Sequence, residues 1–118
     1  MISRMDKLSK LTVLVWNMDY WKSSKREAGW DYIQSKNPDI ALLNECSNHD
    51  SQKYSIHHIH KNNWGCGVFS NHELTEKKFE MSHPEAIACG ELEIDEKKIT
   101  AISLYDKLIN TYSITTLH

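Results

Sequence analysis

The sequence predicts an α/β fold in which a strand, a helix and a second strand open a mixed sheet and antiparallel hairpins follow. Two observations favour this fold. First, two apolar runs at residues 11–16 and 40–44 flank a segment with helical spacing, and polar residues, Asn17 and Glu45, end them. Second, the rest of the chain alternates short apolar runs with polar segments, which is typical of hairpins.

The opening elements form a β-α-β unit. Residues 11–16 are apolar nearly throughout, as expected for a strand covered on both faces. After a polar linker over residues 22–25, helical spacing of apolar residues predicts a helix over residues 26–36, which the Asn37-Pro38 pair ends. The next strand follows at once, so we expect the two strands to be parallel.

The second part of the chain predicts four more strands, at residues 54–60, 66–70, 86–94 and 99–104. The last two are joined by a short polar turn and should form an antiparallel hairpin. The charge-rich segments 73–80 and 93–98 are interpreted as solvated turns and edges. Residues 111–118 resemble the opening of a helix.

Length and composition predict one domain over residues 1–118. The chain is 40% hydrophobic and 25% charged, and it contains no apolar run near the ~20 residues that cross a bilayer, so we expect no membrane segment. The first ten residues do not lead into the apolar region of a secretory signal, which favours a cytoplasmic location. Three cysteines, Cys46, Cys66 and Cys89, match neither a disulfide framework nor a zinc motif and predict reduced thiols.

The formal net charge is −2, so the chain lacks the overall basic character of a nucleic-acid coat. This charge does not exclude an enzyme that acts on phosphates, because a bound metal ion can supply local positive charge.

The polar residues that end the first two strands are the strongest functional signal. Open α/β sheets bind ligands at the carboxyl ends of their strands, which points to a site at Asn17 and Glu45. The alternative is that both residues simply mark where strands stop.

Motifs along the chain, taken together, are similar to the amino-terminal half of the endonuclease/exonuclease/phosphatase superfamily, which has the DNase-I-like fold. They agree with it in order and spacing and read Leu11-Thr-Val-Leu-Val-Trp-Asn17, Trp30-Asp-Tyr-Ile33, Asn37-Pro-Asp-Ile-Ala-Leu-Leu-Asn-Glu45, Trp64-Gly-Cys-Gly-Val-Phe-Ser70 and Ile99-Thr-Ala-Ile-Ser-Leu-Tyr105.

The resemblance implies a divalent-metal-dependent phosphodiesterase or nuclease. It assigns to Asn17 and Glu45 the holding of Mg²⁺ or Mn²⁺ and the orientation of a phosphate, and to Tyr105 a contact with that phosphate. Hard oxygen donors of this kind suit Mg²⁺. Tyr105 has the alternative interpretation of an aromatic residue at a strand end. The family's later Asp-x-Asn and Asp-His motifs do not follow Tyr105, so catalysis by this chain alone is not expected.

The implied fold is half of a four-layer α/β/β/α sandwich. A half built as one sheet with one helical layer would expose an apolar face, and such faces usually mark interfaces. The expected partners are therefore a phosphoester substrate, such as a nucleic acid, together with either a second copy of the chain or a missing carboxyl-terminal half. The alternative functions are a non-catalytic interaction module and, less favoured by the charge, a nucleic-acid binder that stacks bases on tryptophans.

Several histidine, tryptophan and aspartate residues are further candidates for function. The histidines at 49, 57, 58, 60 and 72 lack a recognised metal-ligand spacing and are interpreted as structural or exposed. Trp16 and Trp30 are predicted to lie in the core. Asp19 lies two residues after Asn17, where it would either reach the metal or belong to a loop.

Overall fold

The computed structural model describes residues 11–19, 26–61, 64–78, 80 and 86–105, with the backbone alone at residues 60 and 61. One helix and seven strands lie within them: β1 (Val13–Asn17), α1 (Arg26–Lys36), β2 (Ile40–Cys46), β3 (Tyr54–Lys61), β4 (Trp64–Ser70), β5 (Thr75–Glu76), β6 (Ile87–Ile94) and β7 (Lys97–Leu104). The helix expected at residues 111–118 falls outside the described part.

The first sheet is mixed and has the strand order β1-β2-β4-β3. β1 and β2 are parallel, with Val13 opposite Ile40 and Asn17 opposite Asn44, while β4 runs antiparallel to both β2 and β3. The predicted β-α-β unit is therefore confirmed. Because β1 and β2 are parallel and in register, their carboxyl ends lie side by side at the same end of the sheet.

The helix α1 packs one face on this sheet and ends where the sequence predicts. Trp30 and Ile33 are buried on that face. Asn37 takes a left-handed φ of 44° just after the helix, and its N–H lies 3.1 Å from the Ile33 carbonyl oxygen. Asparagine tolerates this conformation better than most residues, and the following Pro38 cannot continue a helix, so the two residues together terminate α1.

The second sheet is antiparallel, with the order β5-β6-β7. The predicted hairpin is confirmed: β6 and β7 pair from Ile87 opposite Leu104 to Ile94 opposite Lys97. Asp95 and Glu96 form the turn with φ values of 51° and 67°. Two consecutive positive φ angles are the mark of a type I′ turn, whose twist matches that of the strands.

Replacing Glu96 with glycine should stabilise the protein, because the second residue of a type I′ turn favours glycine. We expect the free energy of unfolding, measured by urea denaturation, to rise by about 0.5–1 kcal/mol. Glu93→Gly is the matched control, since Glu93 is exposed within β6 and a glycine there should destabilise the strand by a similar amount. A Glu96→Gly variant that is no more stable than the wild type would contradict the turn geometry.

Two apolar cores lie on opposite faces of the first sheet. The core under α1 is built from Trp30, Ile33, Ala41, Leu43, Cys46 and Phe69. The core between the two sheets is built from Ile40, Ile56, Cys66, Val68, Ala88, Leu92 and Ala101. The expectation of a single sheet with an uncovered apolar face is wrong, because β6 and β7 of the same chain cover it.

The edge strand β1 is more exposed than its apolar sequence predicts. Val15 is 73% exposed and Trp16 is 36% exposed, so the prediction that Trp16 lies in the core is wrong, whereas Trp30 is buried as predicted. The reason is topological, because within the described residues β1 pairs with β2 alone. Trp16 instead meets the ring of Tyr32 on α1 edge to face, with centroids 5.7 Å apart.

Within the described residues no helix is long and apolar enough to cross a membrane. The three cysteines are buried and none of them forms a disulfide.

Candidate metal centre

The ends of β1 and β2 bring Asn17 and Glu45 together. Asn17 lies opposite Asn44, and the ladder continues for one more bond because the Met18 N–H donates to the Asn44 carbonyl oxygen over 2.8 Å. Glu45 follows directly. The Asn17 side-chain amide donates from Nδ2 to Glu45 Oε2. The two residues singled out from the sequence are thus in direct contact across a parallel strand pair.

A β-bulge determines how Glu45 is presented. The register of β2 against β4 shifts between Asn44 and Cys46, and Glu45 between them has a left-handed φ of 51°. Cys46 consequently joins Leu43 in the core under α1, where regular alternation from Leu43 would have placed residue 45. Holding a glutamate in this conformation costs on the order of 1–3 kcal/mol, and such strain is concentrated at functional sites.

The Glu45 carboxylate is nearly inaccessible and incompletely satisfied. The residue is 7% exposed, and Oε1 is buried without a hydrogen-bond partner among the described residues. A buried carboxylate oxygen without a partner is unfavourable, because water that would solvate it has been removed. A cation at Oε1 would remove that cost, so the carboxylate fits a divalent metal.

The amide of Asn17 is oriented by two hydrogen bonds. Nδ2 donates to Glu45, so Oδ1 must be the atom that accepts the Asp19 N–H over 3.0 Å. Asp19 has a left-handed φ of 58° and lies in the loop after β1. A carbonyl oxygen has two lone pairs, so Asn17 Oδ1 can accept this bond and still serve as a second hard donor next to Glu45.

Ser103, which the sequence patterns do not predict as a site residue, joins the second sheet to the carboxyl end of β2. The residue is 3% exposed, and its Oγ lies 2.9 Å from the Leu43 carbonyl oxygen and 3.1 Å from Asn44 Oδ1. Its sequence signal is a hydroxyl at an inward position of β7, in alternation with the apolar residues Ile99 and Ala101. Ser103 therefore fixes β7 against the end of β2, one residue before the Glu45 bulge.

Tyr105 follows β7 at the same end of the two packed sheets. Its ring meets that of Trp64 edge to face, with centroids 5.3 Å apart, and its N–H donates to the Ala86 carbonyl oxygen over 2.8 Å. Trp64 begins β4 beside Gly65, which lies opposite Cys46. The strand ends that carry Asn17, Glu45 and Tyr105 therefore lie at the same end of the two sheets.

The histidines are distributed over separate contacts. His49 stacks on the Trp30 ring at 4.3 Å, His57 Nε2 lies 2.7 Å from the Cys46 carbonyl oxygen, His58 Nε2 lies 2.7 Å from Glu76 Oε2, and His72 Nε2 lies 3.1 Å from Asp39 Oδ1. Within the described residues no group of three or more His, Cys, Asp and Glu side chains is arranged to hold a metal. A metal at this edge would therefore use Glu45 with the amide oxygen of Asn17 and water, as Mg²⁺ often does.

Burial lowers the pKa of His57 below its ordinary value of 6.5, and the hydrogen bond to the Cys46 carbonyl opposes this only in part. The folded state therefore binds the His57 proton less readily than the unfolded state, and the resulting stability is present above pH 6.5 and lost as pH falls through the lower folded-state pKa. We expect the urea midpoint of the wild type to fall more steeply between pH 7.5 and pH 5.5 than that of His57→Gln. Parallel pH profiles would contradict this assignment.

No family model matches the chain, and no curated protein matches it in sequence. Solved structures match its fold. The endonuclease domain of TRAS1, a telomere-specific non-LTR retrotransposon, aligns with a TM-score of 0.60 and 15% identity over 87% of this chain and 49% of that chain. An endonuclease/exonuclease/phosphatase family protein from Leptotrichia buccalis aligns with a TM-score of 0.63 and 15% identity, over 92% of this chain and 62% of that chain. Humanized D. rerio TDP2 carrying 14 mutations aligns with a TM-score of 0.60 and 12% identity, over 80% of this chain and 46% of that chain.

These likenesses confirm the predicted fold class: the chain has the α/β fold of endonuclease/exonuclease/phosphatase structures. At 12–15% identity they establish the fold alone. The chain spans about half the length of the TRAS1 domain that it matches.

Proposed function

We propose that this chain forms the metal-holding, amino-terminal part of a divalent-metal-dependent phosphodiesterase of the nuclease type. The observation that carries the proposal is the Glu45 carboxylate, which a strained bulge holds beside Asn17 with Oε1 buried and without a partner among the described residues. The nuclease-type fold of the matched structures supports the same reaction class.

The proposed cofactor is Mg²⁺ or Mn²⁺, bound at Glu45 and Asn17. Such an ion would neutralise charge on a phosphodiester and stabilise the leaving oxygen during an in-line displacement. Asn17 would orient the Glu45 carboxylate through Nδ2 and would supply Oδ1 as a second oxygen ligand. Tyr105, at the same end of the sheets, would contact a phosphate oxygen through its hydroxyl group.

We further propose that other residues complete the active site. The sequence after Tyr105 contains neither an Asp-x-Asn nor an Asp-His pair, and these motifs would orient or activate the attacking water. We therefore propose that the chain is inactive alone and that its phosphoester substrate, a nucleic acid or a smaller diester, is cleaved only when a carboxyl-terminal half or a second copy is present.

The test combines Mn²⁺ titration calorimetry with hydrolysis of bis(p-nitrophenyl) phosphate and plasmid DNA, for the wild type and Glu45→Gln. Metal binding that the substitution abolishes, without hydrolysis, is the expected result. Hydrolysis that the substitution abolishes would support the enzyme class and overturn the inactivity of the chain alone. Absence of both binding and hydrolysis would overturn the proposal in favour of a non-catalytic module.

The exposed edge of β1 supports the second candidate function, an interaction module that pairs with itself or with another chain. Val13 and Val15 are 44% and 73% exposed on this strand. An edge strand with exposed apolar side chains can accept a further strand. Sedimentation equilibrium of the wild type and Val15→Lys tests self-pairing, which predicts a dimer that the lysine disrupts; a monomer at all concentrations excludes it.

We also propose a cytoplasmic location. Three buried cysteines without a disulfide suit a reducing compartment. Mass spectrometry after alkylation of the protein in intact cells would find three free thiols under this proposal, whereas a cysteine already oxidised in the cell would count against it.

A further inference from the structure

His57 reaches from β3 across the neighbouring strand to β2. In the sheet order, β4 lies between the two, and Gly67 of β4 is the residue opposite both His57 and Leu43. The imidazole nevertheless has its Nε2 atom 2.7 Å from the Cys46 carbonyl oxygen. This bond is therefore a side-chain link between strands that do not pair with each other.

The absence of a side chain at Gly67 makes this crossing possible. A Cβ atom built on Gly67 would lie 2.5 Å from Cε1 of Phe69 and 3.3 Å from Cδ2 of His57. The first distance is not compatible with ordinary packing, and the second is tight. Glycine at the centre of a strand weakens the strand, so its use here is explained by the two rings that lie over its backbone.

The acceptor of the His57 bond is the carbonyl of the residue that closes the bulge. A bulge interrupts the regular hydrogen-bond ladder, and buried backbone carbonyls need another donor where the ladder is interrupted. Cys46 is 1% exposed. A carbonyl oxygen only accepts, so Nε2 of His57 carries the hydrogen. His57 therefore anchors the chain one residue after Glu45.

We propose that His57 is a positioning residue, which holds the Glu45 bulge in its cation-binding conformation by donating its Nε2 hydrogen to the Cys46 carbonyl; the inference rests on the metal role proposed for Glu45. Residues that orient a metal ligand typically change metal affinity by about 10–100-fold when they are replaced. His57 would thus act through the backbone of Cys46, and it is not proposed as a metal ligand.

The experiment compares His57→Leu, which removes the donor, with His57→Gln, which keeps an N–H donor of similar reach. His58→Leu is the matched control, because His58 is the next residue of β3 and bonds to Glu76 of the second sheet instead. Mn²⁺ affinity is measured by titration calorimetry. The conformation of residue 45 without metal is measured by its HN–Hα coupling and Cβ chemical shift, which report a left-handed φ.

We expect His57→Leu to bind Mn²⁺ at least about tenfold more weakly and to lose the left-handed signature at residue 45. His57→Gln and His58→Leu should stay within about threefold of the wild type and keep the signature. Unchanged affinity and signature in His57→Leu would overturn the proposal, as would a His57→Gln variant as weak as His57→Leu. If His57→Leu does not fold, His57→Asn, whose donor is too short to reach Cys46, replaces it.

The two readouts separate this proposal from the metal role on which it rests. A wild type that binds no Mn²⁺ would overturn the proposed function, and with it the cation-binding part of the inference. The residue-45 signature would still decide whether His57 holds the bulge.

Discussion

Replacing Glu45 with glutamine is expected to abolish divalent-cation binding without weakening the metal-free fold. The substitution keeps the size of the side chain but removes the only carboxylate proposed as a ligand, so we expect Mn²⁺ affinity to fall more than about 100-fold. The same change removes a buried charge whose Oε1 has no partner among the described residues, so the metal-free free energy of unfolding should stay constant or increase.

Calorimetric titration measures the Mn²⁺ affinity, and urea denaturation without and with Mn²⁺ measures the free energy of unfolding. For the wild type, metal at about 100 times its dissociation constant should add about 2.7 kcal/mol to the free energy of unfolding, whereas Glu45→Gln should gain nothing. Glu93→Gln is the control, because it makes the same glutamate-to-glutamine change at an exposed position of β6. It should behave as the wild type. Equal metal stabilisation of Glu45→Gln and the wild type would exclude Glu45 as a ligand.

Replacing Phe69 with alanine is expected to have the largest effect on stability. Phe69 is completely buried in the core under α1, where its ring meets that of Trp30 with centroids 5.4 Å apart. Truncating a buried phenylalanine costs about 3–5 kcal/mol through lost burial and the cavity that remains. Urea denaturation should show this loss as a lower midpoint with an unchanged dependence on urea concentration.

Tyr32→Ala is the matched aromatic control for Phe69→Ala. Tyr32 lies on α1, on the same side of the first sheet as Phe69, but is 49% exposed, so its truncation should cost about 1 kcal/mol or less. Similar losses for the two variants would mean that the helix does not pack on the sheet as described.

Local signals in the sequence predicted the helix and every strand except the two-residue β5, and they predicted Asn17 and Glu45 as candidate site residues. The Asn37-Pro38 pair marks the helix end, the turn at Asp95 and Glu96 marks the hairpin, and polar residues mark the ends of β1 and β2. Each of these signals acts within a few residues of chain, so it is visible in the sequence without knowledge of the fold.

The features that the sequence did not predict depend on contacts between distant residues. The packing of β6 and β7 over the first sheet, which corrects the expectation of a single sheet, joins segments such as Leu43 and Ser103 that are 60 residues apart. The exposure of Trp16 follows from the position of β1 at the edge. The bulge at Glu45 has no glycine to signal it, and the role of His57 becomes visible only once the order of the strands is known.

The two cores of the first sheet have a consequence for how its strands find their correct alignment. In most sheets a slip by one residue is prevented because it would turn polar side chains inward. A one-residue slip of β2 would move Ala41 and Leu43 to the face now occupied by Ile40 and Leu42, and the reverse. Both faces of the strand would remain apolar.

The discrimination between alignments must then come from the polar ends of β2. At one end, Asp39 accepts the Thr12 N–H through Oδ2 over 2.9 Å, and its carbonyl accepts the Ser70 hydroxyl over 2.6 Å. At the other end, Asn44 and Glu45 make their own contacts with β7 and β1. Glu45, which is proposed to bind the metal, thus also helps to select the correct strand alignment among alignments with similar apolar packing. Changes at the metal site can therefore also affect correct folding.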